Sequence, residues 1–311
     1  MGNILQKIRK GLTLTLGRTD VYSLWPLERL LIEFASSRPQ HPSLFILGLP
    51  RSGTTLIYQY LVHRLQVAYF TNNVGRYFMS PCLATWWRRR FSGEYRSRFE
   101  SAYGDVPDPL GPHEAGKFWG RFFGFEDYIS PKHVSASDAR ILSRTLACVQ
   151  SLFGGTVFVN KNVKHLLRLP ALYSIYPNAF FLQVQREHKD VALSLLRARY
   201  ATLDNPSEWL SAKPPNHSIL ANQPVAKQIA NQVKALDQKI EEDLSHLPPD
   251  RVLSINYRAF CNQPDRLTRM IRSRIQPVPF RNPQIEQFSP STNQPQSAEE
   301  RRVVSYLNEL S

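Results

Sequence analysis

The feature that most constrains the fold is a strand–loop–helix unit near the start of the chain. Ser43-Leu-Phe-Ile-Leu47 is a short, almost wholly apolar run that reads as a strand buried on both faces. Gly48-Leu-Pro-Arg-Ser-Gly-Thr-Thr55 follows at once, and Leu56, Tyr60, Leu61 and Leu65 then recur at helical spacing. A strand hidden on both sides needs helices above and below, so the rest of the chain must supply parallel neighbours and crossover helices. It does so with three further apolar runs, at 156–159, 179–184 and 251–255. Each leads into a helical pattern: Leu166 to Leu172, Val191 to Leu196, and Leu267 to Ile275. The predicted class is α/β, a three-layer sandwich around a central parallel sheet. The pattern predicts one domain over 1–311, with its core at 43–275 and a helical N-terminal arm at 1–40. Insertions at 75–150 and 205–245 read as lids, the second ending in a long polar helix from Val225 to about Ser245.

Composition narrows the partners. Lys and Arg number 39 against 25 Asp and Glu, a formal charge of +14, which favours nucleic acid, a membrane surface or a polyphosphorylated small molecule. Cys82, Cys148 and Cys261 are widely spaced, so neither a zinc site nor a disulfide framework is expected, only buried thiols in a reducing compartment. The apolar stretch Leu12 to Leu16 is too short to cross a bilayer. Met1-Gly2 starts like an acylation signal, but Gln6 stands where Ser or Thr is needed. A cytoplasmic protein is expected, and Lys7, Arg9, Lys10 and Arg18 leave peripheral membrane contact open.

The loop carries chemistry. Backbone amides of a Gly-containing turn, followed by a helix N-terminus, form a cradle for phosphate or sulfate. Nucleoside triphosphatases place Lys before the final Ser/Thr of this loop; Thr54 stands there instead, which argues against ATP or GTP hydrolysis and against a P-loop kinase. The positive charge sits at Arg51, with hydroxyls at Ser52, Thr54 and Thr55 and a flexible backbone at Gly53.

Pro50-Arg-Ser-Gly-Thr-Thr55 resembles the phosphosulfate loop of sulfotransferases that use 3′-phosphoadenosine-5′-phosphosulfate (PAPS). A second segment, from Phe180-Phe-Leu-Gln-Val-Gln-Arg186 to Ser194, resembles the part of that family whose Arg and Ser, eight residues apart, hold the 3′-phosphate. The resemblance implies that Arg186 and Ser194 take that role, for which a planar guanidinium fork is well suited. Val159-Asn-Lys161 is similar to the stretch carrying the family's catalytic lysine. Tyr257, in Ser254-Ile-Asn-Tyr257-Arg-Ala-Phe260, matches the tyrosine lying against the nucleotide. The resemblance spans about 43–275 and implies a sheet of P-loop nucleotide-kinase type, PAPS as cosubstrate and no metal. Arg51 then becomes a catalytic as well as a binding candidate, and Lys161 would neutralise charge on the leaving phosphate.

The chain also departs from the family. Leu56 replaces an adenine-facing aromatic, Val163 stands where one branch has a catalytic His, and Thr71-Asn-Asn-Val74 occupies the place of another branch's catalytic Glu. A glycine-rich RKGxxG segment is missing, with Phe288-Ser-Pro-Ser-Thr-Asn-Gln294 in the tail instead. The general base is therefore sought elsewhere. His113 and Glu114 follow a Pro-rich turn, beside Phe118 and Trp119. They are expected in the first turn of a helix, with only one of the two facing inward. The acceptor class stays open among small molecules, carbohydrates and lipids. Trp86-Trp-Arg-Arg-Arg90 keeps a nucleic-acid-binding alternative in view, but without helix-turn-helix or RNP-like segments no nucleic-acid partner is expected.

Overall fold

The computed structural model describes residues 24–102, 104–124, 128–276, 278–285 and 287–310. Its centre is a four-stranded parallel sheet of β1 (Ser43–Gly48), β2 (Phe158–Lys161), β3 (Phe180–Gln185) and β4 (Val252–Asn256), in the order β2-β1-β3-β4. Ile46 pairs with Lys161 on one side of β1, and Gly48 with Val184 on the other. Because β1 has its two successors on opposite sides, the connections leave it in opposite directions. A crevice opens at the strands' carboxyl ends, where open α/β sheets bind ligands.

Alternate residues of each strand feed two separate cores, as the period of two requires. Phe45, Leu47, Phe158 and Phe181 pack on one face; Leu44, Ile46, Val159 and Leu182 pack on the other. The helices in chain order are α1 (Trp25–Phe34), α2 (Thr54–Arg64), α3 (Asn72–Arg76), α4 (Pro81–Phe91), α5 (Gly116–Phe123) and α6 (Ala136–Leu152). They continue as α7 (Leu169–Ile175), α8 (His188–Thr202), α9 (His217–Leu220), α10 (Val225–Ser245), α11 (Tyr257–Asn262), α12 (Pro264–Arg274) and α13 (Ala298–Glu309). The first face is covered by residues such as Trp119, Leu146, Leu195 and Val233, the second by Ile57, Leu61, Phe260 and Leu267. The α/β class with a parallel sheet is as the apolar runs predict.

Several boundaries differ from the sequence reading. The run expected at 156–159 forms its strand at 158–161, where Phe158 to Lys161 pair with Ser43 to Ile46 of β1, and on its other edge Val159 N–H donates to Ala68 O at 2.8 Å. Lys161 is thereby the last strand residue and not a loop residue. Within the 75–150 insertion, α6 is a core element, with Leu142, Leu146 and Val149 fully buried under the sheet. The three cysteines are free and buried. Among the described residues no helix is long and apolar enough to cross a membrane.

Candidate active site

At the carboxyl ends of β1, β2 and β3 lies a cavity of about 860 Å³, lined by the loop after β1 and by Lys161, Arg186, Ser194 and Tyr257. The loop reverses by placing Arg51 at φ 69° and Gly53 at φ 92°, both left-handed. Gly53 is the N-cap of α2 and has no side-chain capping bond, so the first amides of α2 keep their donors for a ligand. A side chain at Gly53 would run into the ring of Tyr257, which is how that tyrosine comes to lie on the loop. The Ser52 hydroxyl is fully buried and has no hydrogen-bond partner.

Two clusters share the cavity. In the first, Arg51 Nε donates to Ser194 Oγ at 3.1 Å, and Arg186 donates to the Arg51 carbonyl at 2.9 Å. Arg186 also donates to Ser291, at 2.6 Å to its carbonyl and 3.1 Å to its hydroxyl. Its guanidinium lies 4.5 Å from the Tyr257 ring centre, while its Nε is buried without a partner. Arg186 and Ser194, the pair expected at a 3′-phosphate, are thus linked through Arg51, which was expected at the phosphosulfate, and Tyr257 lies beside them. Ser291 was not among the expected residues, since its arrival depends on a tail crossing 105 residues further along the chain. That tail is pinned by Asn293, whose amide donates to Asp190 at 2.7 Å, and by the Arg197–Glu300 pair at 2.7 Å. The Arg197 bond holds the Glu300 carboxyl down at about 2.

In the second cluster, Lys161 Nζ donates to Thr55 Oγ1 at 3.2 Å and is ion-paired with Glu114. Glu114 also accepts the Val163 amide at 3.3 Å, and Gly104, at φ 105°, passes close over its carboxylate. The Lys161 side chain is 8% exposed and the Glu114 side chain 28%, so the pair sits at the cavity floor and not in bulk water. Behind it, Asn160 is fully buried. Its carbonyl oxygen accepts from Trp119 Nε1 at 3.0 Å and lies 2.9 Å from His165 Nε2, and its amide donates to the His113 carbonyl at 3.3 Å. This network was not anticipated, because Asn160 reads from sequence as an ordinary strand residue.

The helical placement of His113 and Glu114 is corrected by the structure. Ala115 adopts φ 53° and α5 starts only at Gly116, so both residues lie in the loop before the helix, outside its first turn. The reason is a pairing upstream: the His113 amide donates to Phe70 O at 2.8 Å, and Thr71 bridges to Pro112, which holds the segment extended. Freed from the helical period, both side chains line the cavity, against the expectation that only one would. They are not equivalent. The His113 ring accepts the Ala115 amide at 2.8 Å through Nδ1 and packs on Gly75, and burial pushes its pKa down. Among the other histidines, His165 is fully buried and structural, and His133 makes only local contacts with Ser130. No group of three or more His, Cys, Asp or Glu able to hold a metal occurs among the described residues.

Comparison with known proteins adds to this geometry. Among solved structures the chain is similar to sulfotransferase STF9 from Mycobacterium avium, with TM-score 0.54 and 17% identity over 94% of this chain and 73% of that one. Sulfotransferase STF1 from Mycobacterium tuberculosis H37Rv aligns with TM-score 0.48 and 14% identity over 92% and 75% of the two chains. The first likeness speaks for the fold. A comparison with curated protein sequences returned no match. The model of the sulfotransferase family matches residues 42–276, which takes in all four strands and both cavity clusters except Ser291. The chain belongs to the sulfotransferase family.

Proposed function

We propose that the cavity binds PAPS and that the protein moves its sulfuryl group to a hydroxyl or amine of an acceptor. The observation that carries this reading is the convergence of three cations, Arg51, Arg186 and Lys161, from three strand ends onto one cavity in two separate clusters. The residues fit such a ligand in a further respect. The orphaned Nε of Arg186, a residue of the cavity lining, is a donor that a phosphate or sulfate oxygen would satisfy.

In this reading Arg186, Ser194 and Tyr257 hold the nucleotide end with its 3′-phosphate, and the loop amides with Arg51, Thr54 and Thr55 hold the 5′-phosphosulfate. Lys161 turns from Glu114 to the bridging oxygen, which releases the carboxylate. The acceptor oxygen or nitrogen then bonds to sulfur, the bond from sulfur to the bridging oxygen breaks, and the acceptor's proton passes to Glu114. Adenosine 3′,5′-bisphosphate leaves with its new charge balanced by Lys161. Glu114 is preferred to His113 as base because its carboxylate already meets Lys161, whereas one ring nitrogen of His113 is committed to the backbone. The acceptor, whether small molecule, carbohydrate or lipid, would enter beside Val106, Lys117 and Leu210. Titration calorimetry tests the donor: adenosine 3′,5′-bisphosphate should bind more tightly than ADP, and equal affinities would overturn the assignment.

A further inference from the structure

Outside the active site, α4 combines two features that the sulfotransferase reading does not use. On its outer side Trp86, Trp87 and Phe91 are 44%, 58% and 56% exposed and touch one another, with the Trp87 and Phe91 ring centres 4.5 Å apart. On its inner side a small cavity of about 180 Å³ is lined by Arg88, Arg89 and Arg281 together with Thr71 and Thr85. The two threonines are 3% and 1% exposed, and their hydroxyls lack any hydrogen-bond partner, as does Arg88 Nε. Glu94 is the carboxylate in the lining, and among the described residues none of the three arginines has a carboxylate within 4.0 Å. Arg89 Nε donates to the Leu152 carbonyl at 3.2 Å and Arg281 to the Val62 carbonyl at 3.4 Å, so both guanidinium groups are held in place by neutral acceptors, while Arg88 Nε and the two buried hydroxyls are donors awaiting an anion. The space suits one phosphate group but not a nucleotide.

We propose that α4 and the cavity beneath it dock the protein on an anionic membrane, with a phospholipid headgroup phosphate held by Arg88, Arg89 and Arg281 and the aromatic cluster set in the interface. Neighbouring α1 extends the apolar surface. It is tied to α4 by Glu28, which accepts the Cys82 and Leu83 amides at 2.9 Å, and it exposes Leu27, Leu30 and Phe34 on one side. Exposed Trp beside Arg is the composition of a bilayer interface, and basic residues there are attracted by anionic lipid. Exposed aliphatic groups have no use in binding nucleic acid, which selects lipid over an oligonucleotide. A second copy is disfavoured because a twofold contact would bring two Arg88-Arg-Arg90 runs together.

Sedimentation with vesicles tests this. The protein should partition onto phosphatidylcholine vesicles containing phosphatidylglycerol, not onto phosphatidylcholine alone, and salt should release it. The surface pair Trp87→Ser with Phe91→Ser, and the cavity pair Arg88→Gln with Arg281→Gln, should each weaken partitioning at least about tenfold. Unchanged binding of adenosine 3′,5′-bisphosphate controls for folding, and the surface pair stands alone if the cavity pair is misfolded. Four results would overturn the proposal: no preference for the anionic vesicles; partitioning indifferent to the surface pair; binding of inorganic phosphate or an oligonucleotide without vesicle binding; or a dimer in solution that the surface pair dissociates.

Discussion

Replacing Glu114 by Gln separates its two assigned tasks. The change keeps the shape and the bond from the Val163 amide but removes the charge facing Lys161, whose side chain is 8% exposed. Removing one partner of a fully buried ion pair costs about 3–5 kcal/mol. Glu114 is 28% exposed, and Thr55 Oγ1 at 3.2 Å still accepts from Lys161, so about 1–2 kcal/mol of stability should be lost. Urea unfolding measures that part. Loss of a general base lowers turnover by about 10²- to 10⁴-fold. The affinity for adenosine 3′,5′-bisphosphate should hold or rise, since Lys161 no longer has to leave a carboxylate. Turnover is read with labelled PAPS on an acceptor found by screening. A mutant that keeps wild-type turnover on that acceptor refutes Glu114 as the base, and His113→Ala then becomes the next variant to assay.

Lys161→Ala should lower turnover far more than nucleotide affinity; single-turnover rates and calorimetry on the same preparation check this split. Arg186→Ala should abolish most of the preference for adenosine 3′,5′-bisphosphate over ADP, on the order of 1.5–3 kcal/mol, and Arg186→Lys should restore little because it lacks the fork that reaches Arg51 and Ser291. Gly53→Ala should cost roughly 1–2 kcal/mol for the left-handed backbone alone, plus displacement of the Tyr257 ring, seen as a lower melting temperature and weaker nucleotide binding. The imidazoles of His63, His113 and His165 are pushed by burial below the ordinary 6.5, so as pH falls the unfolded chain takes up these protons first. Stability should therefore be full above about pH 6.5 and decline below it, by up to about 1.4 kcal/mol per pH unit for each histidine, and His165→Asn should flatten the decline in urea midpoints.

The parts legible in the sequence are those fixed by local pattern. The strands announce themselves as apolar runs because a parallel sheet covered on both sides leaves no polar face to alternate with. Gly48 and Gly53 mark the loop because a side chain at either would collide with Ser52 or Tyr257. Illegible were the consequences of distant pairing. The two-residue shift of β2 comes from its register against β1, which pairs Phe158 to Lys161 with Ser43 to Ile46. The non-helical course of His113 and Glu114 comes from Phe70, whose carbonyl accepts the His113 amide. Ser291 was out of reach for the same reason, since the polar tail that carries it has no period and no charge to show where it lies.

That tail has a bearing on biosynthesis. Arg186 is anchored to Ser291 across 105 residues, and the anchoring segment is itself secured by Asn293 on Asp190 and by Glu300 on Arg197. A ribosome delivers the loop, the three cationic strand ends and α8 well before it delivers these residues. A nascent chain can thus assemble its whole sheet and still hold Arg186 without the Ser291 contacts, so the nucleotide end of the cavity is finished last. Val303 and Leu307 of α13 belong to the buried core as well, so the last part of that core and the nucleotide end of the cavity are completed together, after the sheet.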